Sequence, residues 1–220
     1  MSALTLDLEP RAIATYDFSE AAQYLHLPKS TVRAWVCGQD GFEPLIVPAS
    51  DHGPMLSFIN LVEIHMLAAI RRIHKVKMPK VRIALQHLGG PHPLASYRLE
   101  TDGVDLFVRM VGELVNLSKP NQKIMVDVMS AYLKRIRWED DKAAALFPFP
   151  TANVLDGRKS VMIDPRISFG RLVISGTGIA TEIVVERFRA GESIDELAKD
   201  YRRDRLEIED VLRFEPALAA

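Results

Sequence analysis

From Tyr16 onward the apolar positions fall into short blocks at helical spacing, separated by Gly/Pro punctuation. Residues 1–15 carry no sustained period and are expected to form a loose arm. In YDFSEAAQYLHLPKSTVRAWV, Ser19 is expected to cap a helix running through Leu25, with Ala21, Ala22 and Leu25 inward. His26-Leu27-Pro28 is the turn. Pro28 opens a second helix, where its missing N–H costs nothing, and Val32 and Trp35 pack that helix on the first. Beyond Gly38 and Gly41, Leu45-Ile46-Val47 and Met55-Leu56 flank a loop holding Pro48, Gly53 and Pro54, the pattern of a two-stranded wing.

Ser57 then caps FINLVEIHMLAAIRRIHKV, predicted to be helical to about His74. Phe58, Val62, Met66, Ala69 and Ile73 keep one face, but Ile59, Leu61, Ile64 and Leu67 widen the stripe. A helix apolar on most sides must be central or shared with a partner. Pro79 opens the next helix, with Val81, Ala84, Leu85 and Leu88 inward and Gly89 as the stop. Between His92 and Asn121 the period changes. SYRLE, the Thr101-Asp102-Gly103 turn and the alternation of Val104, Leu106, Val108 and Met110 predict a β-hairpin, with a third strand over 113–117. A helix is expected from Gln122 to Trp138, and Phe147-Pro148-Phe149-Pro150 is expected to be a stiff linker.

The last third opens with a short strand at Val161-Met162-Ile163. Thr181 precedes an apolar run, Ser193 with Glu196 forms a capping box, and Asp204 with Glu207 forms a weaker one. Gly191 stands where the first of these helices should stop. The expected fold class is therefore mainly α with small β elements (α+β). Residues 1–91 read as a winged helix-turn-helix, 92–150 as a β-hairpin plus helix connector, and 151–220 as a three-helix unit with a short β segment.

Composition narrows the function. With 220 residues, 48% apolar and 26% charged, the chain is an ordinary globular one. No apolar run approaches the roughly 20 residues that span a bilayer, and the N-terminus lacks the basic-then-apolar pattern of a signal peptide. Cys37 is alone, which suits a reducing cytoplasm and excludes an internal disulfide. The net charge of −1 hides an uneven distribution. Arg71, Arg72, Lys75, Lys77, Lys80 and Arg82 lie in a stretch without one acid, whereas residues 182–215 hold eleven acids against seven bases. Opposite faces of this kind suggest different partners, or else two solvated helix faces.

Lys29, Ser30, Thr31 and Arg33 are expected to point outward at the start of the second helix. There a DNA-reading helix-turn-helix reaches phosphates and base edges. Arg71, Arg72, Lys75 and Lys77 flank the following helix junction, where they could approach phosphate. A helical hairpin without DNA contact is the plain alternative. At the far end, Ile167, Phe169, Leu172 and Ile174, with Val173, are too many apolar side chains for so small a β element to bury. They are expected to meet a protein partner or a second copy, or else to lie under the connector. The C-terminal helix pair also has helix-turn-helix spacing, but Glu207, Glu209 and Asp210 would meet phosphate as like charges. It is expected to bind a basic partner rather than DNA.

No catalytic constellation is present. The six histidines have no H-E-x-x-H spacing, and there is no paired-cysteine zinc motif. Gly170, Gly176 and Gly178 match no phosphate-binding fingerprint. His65 reads as a hydrogen-bonded core histidine. Neither an enzyme nor a cofactor or metal is expected.

Two stretches resemble known families. DPRISFG, then ISGT, a helix with ERF, AGESI and ELA-DY is similar to the DUF433 domain of VapB-type antitoxins over about 55 residues. It departs at Gly178-Ile179-Ala180, where the family more often has Arg-Ile-Pro. The head with its wing resembles MerR-like regulators. Together these resemblances imply an antitoxin of a type II toxin–antitoxin pair, cytoplasmic and without a membrane anchor. Its tail would neutralise a VapC-like ribonuclease toxin, and its head would repress the operon as a homodimer on operator DNA. A ligand-sensing MerR-like regulator, with an effector pocket in the connector, is the alternative.

Overall fold

The computed structural model describes residues 9–39, 41–50, 55–72, 76–96, 99, 103–114, 118–151 and 157–214. Their architecture is mainly helical with one small antiparallel sheet.

The head begins with α1 (Phe18–Tyr24). Its N-cap is Asp17 rather than Ser19: the carboxylate accepts from the Ser19 and Glu20 amides, and Glu20 returns a bond to the Asp17 amide. A carboxylate with a reciprocating glutamate outcompetes the hydroxyl two residues on. His26 takes a left-handed conformation in the turn, and Pro28 caps α2 (Lys29–Cys37). Gly38 ends α2 at φ 77°, where a Cβ would come within 2.6 Å of the Phe42 carbonyl, so this stop requires glycine.

No wing ladder forms among the described residues. Ile46 and Leu56 are buried in the core, Leu56 bridges Tyr16 instead of the 45–47 segment, and Ala49 N–H reaches Met55 O at 3.0 Å. Burial has overridden the turn signals. Residues 51–54, the expected tip, lie outside the described set.

The central element is α3 (Phe58–Arg71), with twelve of its fourteen residues buried, as its all-round apolar sequence requires. Ser57 and Asn60 form a reciprocal cap. Packed around it are α6 (Lys119–Leu133), two short 3-10 turns (Pro10–Ala12 and Pro93–Ala95) and the sheet. Helix α4 (Met78–Leu88) stops at Gly89 with φ 68°.

The connector differs from its expected form. Val104–Leu114 is a helix, α5, not a strand. Val104, Phe107, Val108 and Val111 follow i, i+3, i+4, i+7 and are buried, so the same residues that alternate also make a helical stripe. Helix α5 packs between α4 and α6, which reward that stripe. Of the expected third strand, 113 and 114 end α5 and 115–117 lie outside the described residues. The expected 122–138 helix breaks at Leu133, and Ile136–Glu139 becomes β1. It pairs with β2 (Lys142–Leu146) around Asp140 and Asp141, both at positive φ.

Nor is 147–150 a free linker. Phe149 is buried, and the interior Arg135 guanidinium bonds the carbonyls of Phe147, Pro148, Gly157 and Arg158 at 2.6, 2.8, 2.8 and 3.2 Å. The chain then forms β3 (Val161–Ile163) and β4 (Leu172–Ile174). Strand order is β1-β2-β3-β4, all antiparallel, with Leu146 opposite Ile163 at the join. One sheet thus crosses the expected boundary at 150. Three helices complete the tail: α7 (Thr181–Arg189), α8 (Ile194–Tyr201) and α9 (Arg205–Leu212). Both expected capping boxes are present, and Gly191 follows α7 at φ 103°. Thr181 itself does not cap. Its hydroxyl turns back to Leu172 O at 3.3 Å.

Candidate nucleic-acid and partner surfaces

Helix α2 buries Val32, Trp35 and Val36, which fixes the opposite side outward by the helical period. Lys29, Ser30 and Arg33 are exposed and Thr31 is half-buried. Lys29 Nζ donates to Ser19 Oγ at 2.6 Å, tying α2 to α1. Arg71, at the end of α3, donates to Thr31 Oγ1. Ser30, Thr31 and Arg71 therefore share one depression, floored by Ala34 and Trp35 and closed by Val76 and Met78 at the start of α4. Lys77, the exposed residue preceding α4, lies between those last two. Arg72 is also exposed but reaches the Tyr132 hydroxyl, and Lys75 falls outside the described residues. The face is cationic with hydroxyls at its centre, a chemistry that binds phosphate.

The tail presents a different surface. Leu172 and Ile174, expected to meet a partner or else to lie under the connector, are interior: β3 pairs beside them, and α7 packs on β4. Ile167 is half-buried. Phe169 is 91% exposed. It sits on a turn in which Ser168 (φ 48°) and Phe169 (φ 57°) are both left-handed, a conformation that L-residues with a Cβ adopt at a cost. The turn is nonetheless held firmly. Ser168 Oγ donates to Gly178 O at 2.8 Å, and the buried Tyr16 hydroxyl donates to Gly170 O at 2.8 Å. A Cβ on Gly170 would run into that hydroxyl. An open groove reaches this turn at Ile167 and is lined further by Arg137, Phe147, Met162 and residues 176–178.

Beneath the turn lies Asp164, a buried carboxylate bonded by Arg137 at 2.7 Å and Arg166 at 2.8 Å. Burial alone would raise its pKa, but the bonds from Arg166 and the charge of Arg137 hold it below the usual carboxylate range. Arg166 also grips Glu139 on β1 at 2.7 Å. Asp210 is likewise buried. It accepts from Ser160 Oγ at 2.7 Å and from Arg158 and Arg213, so one acid of the expected acidic face is an internal tie. Glu209 is paired with Arg205 at 3.0 Å.

His65 is buried, with Nε2 3.0 Å from Tyr132 O, and its pKa is pushed down to about 4 by burial. Cys37 is exposed. Among the described residues no three His, Cys, Asp or Glu side chains group as metal ligands. Nor, among the described residues, is any helix long and apolar enough to cross a membrane. Tyr16, Arg135 and Asp164 escaped the sequence reading. Tyr16, Arg135 and the Asp164–Arg137 pair join groups a dozen or more residues apart, and no local spacing records that.

Residues 161–214 match the family described as protein of unknown function (DUF433). The chain is 28% identical to a Mycobacterium tuberculosis protein named "Putative antitoxin VapB45", over 86% of this chain and 88% of that one. It is 23% identical to "Uncharacterized protein Rv2308" of the same organism, over 90% and 89%. Its fold is similar to the crystal structure of Rv2018 from Mycobacterium tuberculosis, with a TM-score of 0.68, 26% identity, and 91% and 98% of the two chains covered.

Proposed function

We propose that this chain is the antitoxin of a type II toxin–antitoxin pair. In this reading the head binds operator DNA through α2, and the tail neutralises a VapC-like ribonuclease. The observation that carries it is the near full-length similarity to a protein named as an antitoxin. Two surfaces of different chemistry give that similarity physical content. The α2 face offers Lys29, Ser30, Thr31 and Arg33, with Arg71 braced on Thr31, which suits phosphate and base edges. Exposed Phe169, with the groove that opens at Ile167 of the same turn, suits an apolar anchor in a protein interface.

The protein acts by binding, not by catalysis, and works in the cytoplasm. It binds DNA as a homodimer, because paired heads match half-sites about one helical turn apart. Co-expression with the neighbouring open reading frame tests the reading. A small ribonuclease should copurify with the chain, lose its activity in the complex, and regain it when the antitoxin is removed. Failure of any adjacent nuclease to bind, with the chain folded, would refute the antitoxin assignment.

A further inference from the structure

The depression on the α2 face has one more wall, Gln39, just past the Gly38 stop of α2. Gln39 is exposed, but its backbone is fixed. Its N–H donates to Phe42 O at 3.0 Å, and the Phe42 N–H returns a bond to Gln39 O at 2.7 Å. Arg82 of α4 donates to Glu43 O, which ties the turn to that helix. A side chain carried on so fixed a turn needs little ordering to bind. Ala34, Val76 and Met78, all half-buried, supply apolar surface to the same depression. No acid is among the described residues that line it, and α2 carries none. With Lys29 and Arg33 on the same helix and Lys77 between Val76 and Met78, the surroundings suit a polyanion.

We propose that this depression reads an A·T base pair in the major groove, with Gln39 on adenine and the apolar wall around the thymine methyl. The inference rests on the DNA reading of the head and sharpens it to one base pair. The Gln39 carboxamide sets donors beside an acceptor, and adenine answers with N7 as acceptor and its N6 amino group as donor. Thymine alone among the four bases carries an apolar group in that groove. Against Ala34, Val76 and Met78 its methyl leaves water, whereas a G·C pair offers that wall only polar edges. The Ser30 and Thr31 hydroxyls fit any base or phosphate, so they do not make the choice.

Selection of duplexes from a random library by the full chain, followed by fluorescence anisotropy on the enriched sequence at one salt concentration, is the experiment. Each thymine is replaced singly by deoxyuridine, which removes the methyl and keeps the pairing. At one thymine per half-site, binding should weaken about fourfold, the equivalent of one buried methyl. Met78→Ala should narrow that difference to about twofold or less. Gln39→Ala, at an exposed position, should bind the enriched duplex and a version with that A·T pair replaced by G·C about equally, where the parent separates them at least about fivefold. If Met78→Ala fails to fold, Gln39→Ala decides alone. The proposal is overturned if the enriched duplexes hold no methyl-sensitive thymine, or if either folded variant discriminates as the parent does. A library without any enrichment would refute the DNA reading itself, and this assignment with it.

Discussion

Phe169 is the residue at which conformation and surface disagree most with stability. At 91% exposure its ring contributes almost nothing to the core, and its left-handed backbone costs on the order of 1–2 kcal/mol. Glycine removes that strain but loses about 0.4–1 kcal/mol through the freer unfolded chain. Phe169→Gly should therefore leave stability unchanged or raise it by up to about 1 kcal/mol, measured by urea unfolding. Its affinity for the toxin should fall by about 2–4 kcal/mol if the ring is an interface anchor. A variant that loses stability but keeps affinity would make Phe169 structural. Tyr16 supports the same turn from 154 residues away, through its buried bond to Gly170 O. Tyr16→Phe deletes that hydroxyl and strands the carbonyl, so unfolding should become easier by about 1–3 kcal/mol. An unchanged midpoint would show that the turn holds without it.

Among the elements, those set by local chemistry were legible in advance. Ser57, Ser193 with Glu196, Asp204 with Glu207, and the stops at Gly89 and Gly191 each need only neighbours within one turn, and all appear as read. Elements decided by tertiary context were not legible. Val104 to Val111 satisfies period 2 and period 3.6 together, and the contacts of α5 with α4 and α6 settle it as a helix. Strand β2 is Lys-Ala-Ala-Ala-Leu, which favours helix on propensity, and becomes a strand because β1 and β3 flank it. The turn at Asp140-Asp141 lacks the glycine that usually marks a hairpin. On the α2 face, Lys29, Ser30 and Arg33 stood out because burial of Val32 and Trp35 dictates the outer side. For Leu172 and Ile174 the sequence left a partner and the chain's own cover both open, because the strands and helix packed around them are not recorded in local spacing.

Asp164 links these strands, bonding Arg137 of β1 and Arg166 of the turn. Its folded pKa is depressed, so its contribution is complete above the ordinary carboxylate value and is lost as pH falls through the folded one. Stability from urea unfolding should thus decline below about pH 4, and Asp164→Asn should be less stable at neutral pH with a shallower acid limb. A parallel acid limb in the variant would remove Asp164 as a cause.

At the scale of the whole molecule, head and tail are not beads on a linker. The sheet crosses residue 150, Tyr16 meets Gly170, Gln23 Nε2 donates to Phe214 O at 3.1 Å, and the His26 ring lies 4.8 Å from that of Phe214. The two candidate surfaces are nevertheless built from different elements, so each should be separable by substitution. On the DNA side, Lys29→Ala with Lys77→Ala should lower the slope of log affinity against log salt by about 2 if both touch phosphate. A slope like the parent's would make these lysines ordinary solvated charges.

In the proposed function, nucleic acid is gripped by α2 and by no part of the Phe169 surface. Fluorescence anisotropy of a labelled promoter duplex, titrated with Arg33→Ala and with Phe169→Ala at one salt concentration, tests it most directly. Arg33→Ala should bind about 5- to 150-fold more weakly, the equivalent of roughly 1–3 kcal/mol, and Phe169→Ala should bind as the parent does. Parental affinity in Arg33→Ala, or an equal loss in Phe169→Ala, would contradict it.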